Sequence, residues 1–366
     1  MFRGGVNIVY VDVYPRRDGK VVDDLKQEDF EVFEDGKPQP VQTFEFIRTD
    51  PVTPDAERRD PSSQQQGDQW AADPHNRVFV IVIDKWHIGG MWGAREIHRP
   101  VMNFLYHAIG PTDVFAVMTP DSLVGQMVFA RSLDTIEQDL LRLRDFAVKA
   151  YTGEPTDAVE DQMWACWGGQ AAAPIIEARR RDLLMTLLEN LMKKLGGLRD
   201  ERKNIVLVSG FFAIGPDRPI NVAPTMRPPQ GSIPQIGVGL GGRLGTGDDR
   251  TGSSNSDACY KLATAFSNLR FEDRFRRLIG DAQRANVTFY AIDPNGLSTA
   301  MPRIDPQITT SVNALKTLAE NTDGLAIVDT NSFDNGIKQM NEAIAGYYLL
   351  GYASANTRLD LSLIHI

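Results

Sequence analysis

The side chains here that could support chemistry cluster near the end of one apolar run. In "RVFVIVIDKWHIGG" (77–90) the run stops at Asp84 and is followed by Lys85, Trp86, His87 and Ile88. A carboxylate and an imidazole three residues apart can start a general acid–base pair or supply two ligands to Zn²⁺, because the carboxylate orients the ring and both groups bind zinc. His98 and His107 come next, nine residues apart. On a helix that spacing turns one about 180° from the other, so the three histidines cannot converge on one ion. Read as ordinary residues, His98 is a surface or partly buried helix position and His107 a helix-end cation at the negative pole of the dipole. A metal-dependent hydrolase centred on Asp84 and His87 is the enzymatic alternative. No Walker loop, H-E-x-x-H or G-x-S-x-G supports it. "GVGLGG" (237–242) is a literal G-x-G-x-x-G, but "PQGSIPQI" precedes it and "RLGTGDDRTGSSNSD" follows. A dinucleotide fingerprint needs a strand before it and a helix opening within it, so the expectation is a flexible surface loop. Cys166 and Cys259 are the 2 cysteines of the chain. They fall in expected loops without metal-ligand spacing, and are either one bridge or two free thiols.

These residues need a scaffold. The chain has 366 residues, 42% hydrophobic, enough for one large or two ordinary domains with a real core. Its net charge of −9 comes from dispersed acids with no Lys/Arg run, which argues against a nucleic-acid partner. No apolar run approaches the ~20 residues of a membrane span, and residues 1–5 lack the features of a signal peptide. Residues 1–48 read as a small β-domain: "VNIVYVDVY" and "VQTFEFI" alternate apolar and polar, and an Asp-Gly pair marks a turn. Residues 49–76, rich in Pro, Gln, Asp and Ser, read as a flexible linker. From 77 to 345, strands (78–84, 112–120, 123–130, 204–212, 287–293, 324–329) alternate with helices (93–109, 133–146, 175–195, 271–285, 310–322, 333–344). This predicts an α/β fold, a doubly wound, mostly parallel sheet of Rossmann type, carrying a Gly/Pro-rich insertion at 213–260. Such sheets bind ligands at the carboxyl ends of their strands, where Asp84, Ser209 and Asp293 fall.

"VLVSGFF", "LIGDAQRANVTFYAIDPNGL", "LKTLAENTDGLAIVDTNSFDNGI" and "YYLLGYASAN", with the leader "VYVDVYPRRDGKVVDDLKQEDFEVFEDGKPQPVQTFEF", cover most of the chain in order. Together they resemble the bacterial von Willebrand factor A-related family. The resemblance implies a von Willebrand factor A-like domain used for binding and adhesion, joined to a small β-domain and exported to the periplasm, cell surface or medium. Residues 346–360 then begin a carboxyl-terminal β-segment that returns to the amino-terminal strands, making with them a partial β-sandwich. "LSLIHI" (361–366) looks like translated sequencing adapter rather than native chain, and Met1 like an internal methionine.

In metal-binding members of the wider superfamily the first strand ends in Asp-x-Ser-x-Ser, a distant loop adds a threonine, and the fourth strand ends in an aspartate. These hard oxygens suit Mg²⁺. Here Asp84 matches the first aspartate, Trp86 and Ile88 replace the serines, Thr156 in "GEPTDAV" weakly matches the threonine, and Ser209 and Gly210 stand where the last carboxylate belongs. The resemblance therefore implies a degenerate metal-ion-dependent adhesion site with remnant positions Asp84, Thr156 and Ser209. No cofactor is expected, Mg²⁺ being the ion such a site would have taken. Recognition of a protein or other macromolecular ligand then falls to a face of Asp84, Trp86, His87, Met91 and Trp92, tryptophan being an enriched interface anchor. The other non-enzymatic reading is a structural envelope component whose face binds nothing soluble. Export would place Cys166 and Cys259 in an oxidising compartment, where a bridge between them would tie down the insertion.

Overall fold

A computed structural model describes residues 8–17, 20–48, 58–88, 90–138, 140–141, 155–210, 236–238, 244–246, 259, 261–262, 264–266, 269–294, 306–330, 333–354 and 364–365. The amino-terminal strands are β1 (Ile8–Val13), the short ladder β2 (Arg16–Arg17) with β3 (Lys20–Val21), the hairpin β4 (Val32–Glu34) with β5 (Lys37–Gln39), and β6 (Val41–Arg48). Asp35 and Gly36 turn that hairpin at φ of 51° and 74°, the left-handed geometry an Asp-Gly pair tolerates. Then follow α1 (Gln64–Ala72), β7 (Val78–Ile83), α2 (Gly90–Ala108), β8 (Val114–Met118), α3 (Ala158–Trp167), α4 (Ala173–Gly196) and β9 (Lys203–Val208). The remaining elements are β10 (Ile236–Val238), β11 (Leu244–Thr246), α5 (Phe271–Arg284), β12 (Val287–Ile292), α6 (Pro306–Glu320), β13 (Ala326–Ile327), α7 (Phe333–Ile344), β14 (Gly346–Ala353) and β15 (Ile364–His365).

The continuous apolar runs pair into a five-stranded sheet, order β13-β12-β9-β7-β8, parallel at every pairing. Every residue of β7, β9 and β12 is buried, as strands covered on both faces require. Period two divides β7 between the faces. Val78, Val80 and Val82 join a core with Leu188 and Leu191 of α4, Leu278 of α5 and Leu318 of α6. Phe79, Ile81 and Ile83 join another with Phe104 and Leu105 of α2 and Ile337 and Met340 of α7. The architecture is α/β with helices on both faces, compatible with a Rossmann-like fold.

Strand β14 lies between β1 and β6, antiparallel to both, so a strand from the end of the chain completes a sheet begun at its start. β15 pairs with β4, which pairs with β5. Asp12 of β1 accepts the Arg202 backbone N–H just before β9, and the Arg202 guanidinium lies 4.3 Å from the Tyr14 ring centroid. The small sheet therefore meets the amino ends of the parallel strands. Their carboxyl ends lie on the opposite side.

Several elements differ from expectation. The segment expected as a flexible linker is ordered over its described part, 58–76: Ser63 caps α1 by accepting the Gln66 N–H, Ala71 is buried in the core, and the Arg58 guanidinium donates to the carbonyls of Ile109 and Gly110. Side-chain hydrogen bonds to distant backbone order it, and composition alone does not reveal these. The expected strand at 123–130 makes only an isolated bridge, Phe115 to Ala130, and turns as a 3-10 helix at Val124–Gln126. Of "GVGLGG", Gly237 and Val238 lie on β10, paired with β11; 239–242 lie outside the described residues. Cys166 and Cys259 sit in helical rather than loop backbone.

Candidate functional site

From β7 the chain runs to β8 on one side, then returns to β9 and β12 on the other. The carboxyl ends of β7 and β9 thus flank the topological switch point, where open α/β sheets take ligands. Register Ile83↔Val208 sets Asp84 beside Ser209. Asp84 is fully buried, and its Oδ2 accepts from Ser209 Oγ and from His87 Nδ1, each at 2.7 Å. A turn bond from His87 N–H to the Asp84 carbonyl folds the ring back onto the carboxylate, and the Gly210 N–H holds the His87 carbonyl. His87 Nε2 reaches Glu177 Oε2 of α4 at 3.0 Å. Burial by itself would lower the His87 pKa, but the charges of Asp84 and Glu177 outweigh it and raise the value to about 10. For Glu177 burial acts upward, yet His87, Arg181 and Arg180 bring it below its usual range. The result is a carboxylate–imidazolium–carboxylate bridge, buried at Asp84 and His87 and half-buried at Glu177.

A second network closes the flank. Trp86 Nε1 donates to Thr156 Oγ1 at 3.1 Å, and Thr156 donates from both N–H and hydroxyl to Glu160 Oε2 at 2.9 Å. Glu160, fully buried on α3, is gripped by Arg180 Nε and Nη2, both at 2.8 Å. Lys85 bonds Asp121 at 2.6 Å.

Ser209, His87 and Asp84 are the residue types of a nucleophilic triad, differently wired. A working triad bonds the serine to the imidazole and the carboxylate to the ring's other nitrogen. Here Ser209 donates to Asp84, and Glu177 takes the second ring nitrogen. A ring donating from both nitrogens has no lone pair to accept a proton. The set also fits a divalent ion poorly. Mg²⁺ asks for near-octahedral oxygens at about 2.1 Å, while the hydroxyls of Ser209 and Thr156 are committed and Trp86 and Ile88 bring buried apolar groups. Asp84 Oδ1 has no hydrogen-bond partner among the described residues, but an ion approaching it meets the imidazolium charge.

Compared with protein-family models and with curated proteins, the chain matches none.

The expected exposed face is corrected by burial: Trp86 is 6% and His87 9% exposed, and Asp84 is sealed. Thr156 draws the indole inward, and Lys85 and Arg180 lie 5.3 and 5.9 Å from its ring centroid. Met91 and Trp92 lie on α2, with side chains outside the described set. His98 is half-buried, 3.9 Å from Glu137, and exposed His107 bonds the Asn103 carbonyl, so neither joins His87. Asp293 ends β12, its N–H on the Ile327 carbonyl. Cys166 and Cys259 form a disulfide, Cα atoms 5.6 Å apart. Sequence reasoning missed Glu177, Glu160 and Arg180. For Glu177 and Arg180 the only signal was an acid and several arginines along a long helix, which ordinarily marks a solvated face, and Glu160 lies apart from them on α3.

Proposed function

We propose that this chain is a von Willebrand factor A-type binding and adhesion module, non-enzymatic and exported, whose strand-end site is held by His87 rather than by a divalent ion. The observation that supports this reading is the His87 imidazolium between Asp84 and Glu177 at the switch point. A metal-dependent site keeps one coordination position open for a partner's carboxylate. A protein-borne cation between two internal carboxylates closes that position, so recognition proceeds without metal and through other surface. The committed ring nitrogens weigh against a hydrolase at Asp84 and His87. The disulfide suits an oxidising compartment. The strands β1, β4, β6 and β14, sharing Val32, Phe44, Tyr348 and Leu350 in one apolar cluster, suit the partial β-sandwich the resemblance implies.

Thermal unfolding with and without Mg²⁺ or Mn²⁺ tests it. An ion present at a hundredfold its Kd would add about 2.7 kcal/mol, an easily measured rise. No shift is expected. A saturable rise that disappears in Asp84→Ala overturns the metal-free reading.

A further inference from the structure

The sheet edge at β8 is half closed. The Val114 N–H bonds the Arg77 carbonyl, so Val114, Ala116 and Met118 aim their backbone groups toward β7, and Phe115 and Val117 aim theirs outward. Phe115 exchanges two bonds with Ala130, at 2.9 and 2.7 Å, as an antiparallel pair. At that register the next pair would be Val117 with Val128. It is not made: the outward N–H and C=O of Val117, and the backbone groups of Val128, have no partner among the described residues. The two lips diverge around a groove of about 460 Å³, lined in part by Val117, Met118, Asp121, Leu123, Met127 and Val128.

The divergence is built into the fold. Gln64 of α1 donates to the carbonyls of Gly125 and Met127 at 3.0 and 3.1 Å, pulling that lip away from β8. Met127 and Phe129 anchor it in the core. Asp121, in the turn between the lips, is held by Lys85. These contacts fix the second lip from the side away from β8 and from the core.

The geometry points to a docking groove for an extended, uncharged peptide segment of a partner protein, added as a strand to β8. A free N–H and C=O on one outward-facing residue of an edge strand are complementary to a peptide backbone. Among the described residues that line the groove Asp121 is the one that carries a charge, and Lys85 meets it, so those residues favour an uncharged segment. Leu123 and Val128, 64% and 55% exposed, offer apolar side chains at the rim. The inference stands on the sheet edge alone and holds whether or not the strand-end site takes metal.

The probe is a capped fluorescent peptide with the sequence of residues 123–130, which is uncharged and already contains the segment that pairs with Phe115. Anisotropy on titration with the full chain is expected to saturate. The same peptide N-methylated along its backbone keeps its side chains but loses its donors, and is expected to bind about tenfold weaker or less. Val117→Pro removes the outward donor that Ala130 does not engage, at a position an edge strand tolerates, and should weaken the unmodified peptide similarly with little change in melting temperature. If that variant fails to fold, the N-methylated peptide on the native chain decides. No saturable binding, or equal binding of both peptides, overturns the proposal. So does concentration-dependent dimerisation that Val117→Pro abolishes, because the edge would then serve a second copy.

Discussion

At the scale of single residues, His87 carries the site. Asp84 and Glu177 face it from the end of β7 and from α4, with Arg180 and Arg181 behind Glu177. Replacing His87 by Gln leaves the buried Asp84 carboxylate without its cation and takes one cation from half-buried Glu177, and breaking a buried pair costs about 3–5 kcal/mol. Urea unfolding at pH 7 should show a loss of that order. The pH dependence has a definite sign. The folded pKa of about 10 lies above the unfolded 6.5, so the stabilisation is complete below about pH 6.5 and is lost as pH rises through about 10. Lys203 runs the other way. Burial, then the charge of Arg199, lowers its folded pKa from 10.5 to about 8, so stability rises with pH between those values and masks part of the His87 loss. Subtracting the His87→Gln profile from that of the native chain removes the Lys203 contribution. The difference is expected to be largest near pH 6 and to shrink toward pH 10; a difference independent of pH would mean that folding leaves the affinity of the ring for its proton unchanged.

At the scale of elements, helix α3 is held covalently. Helix α3 starts at Asp157, which accepts the N–H groups of Val159 and Glu160, and stops at Gly168, with φ of 76°. Cys166 in its last turn joins Cys259 across a sequence separation of 93, within an apolar cluster of Met163, Trp167, Ile175 and Ile176. Closing so long a loop in the unfolded chain stabilises by about 2–4 kcal/mol in typical cases. Reductant should therefore lower the urea midpoint, and the double variant Cys166→Ser, Cys259→Ser should match the reduced protein. Thiol titration of the denatured, unreduced chain should find none, and two thiols would remove the bridge. Legibility at this scale follows the strength of local apolar periodicity. α4, α5 and α7 were readable because their burial repeats at helical spacing, and β7, β9 and β12 because they are short continuous apolar runs. α1 was not, because it is mostly polar and held by Gln64 and Ser63. The strand expected at 123–130 turns instead as a 3-10 helix, in which the N–H groups of Gln126 and Met127 bond the carbonyls of Leu123 and Val124, and Gln64, distant in sequence, holds the carbonyls of Gly125 and Met127.

At the scale of the molecule, β14 is the strand that closes the small sheet. Its Tyr347–Tyr352 stretch is buried, and Tyr348 packs on Phe44, Phe46 and Phe30. Removing residues 347–366 would leave β1 and β6 without their shared partner. Limited proteolysis should then cut within residues 8–48 while the parallel-sheet unit still unfolds cooperatively. Loss of that cooperative transition would show that the small sheet is integral to the whole fold.

Hydrophobic period and turn chemistry act over neighbouring residues. The sequence alone therefore determined the alternation of strand and helix, the Asp-Gly hairpin, and the placement of Asp84 and Ser209 at strand ends. Tertiary structure alone decided what those residues meet. Glu177 lies 90 residues from His87, and their contact depends on how α4 is rotated over the sheet. Trp86 turns inward because Thr156 is there to accept its N–H. The outward groups of Val117 meet no partner among the described residues, and a polar side chain on α1, distant in sequence, holds the segment that the sequence offered as their strand. Burial is written locally, residue by residue, whereas the partner of a buried polar group is set by the path of the whole chain.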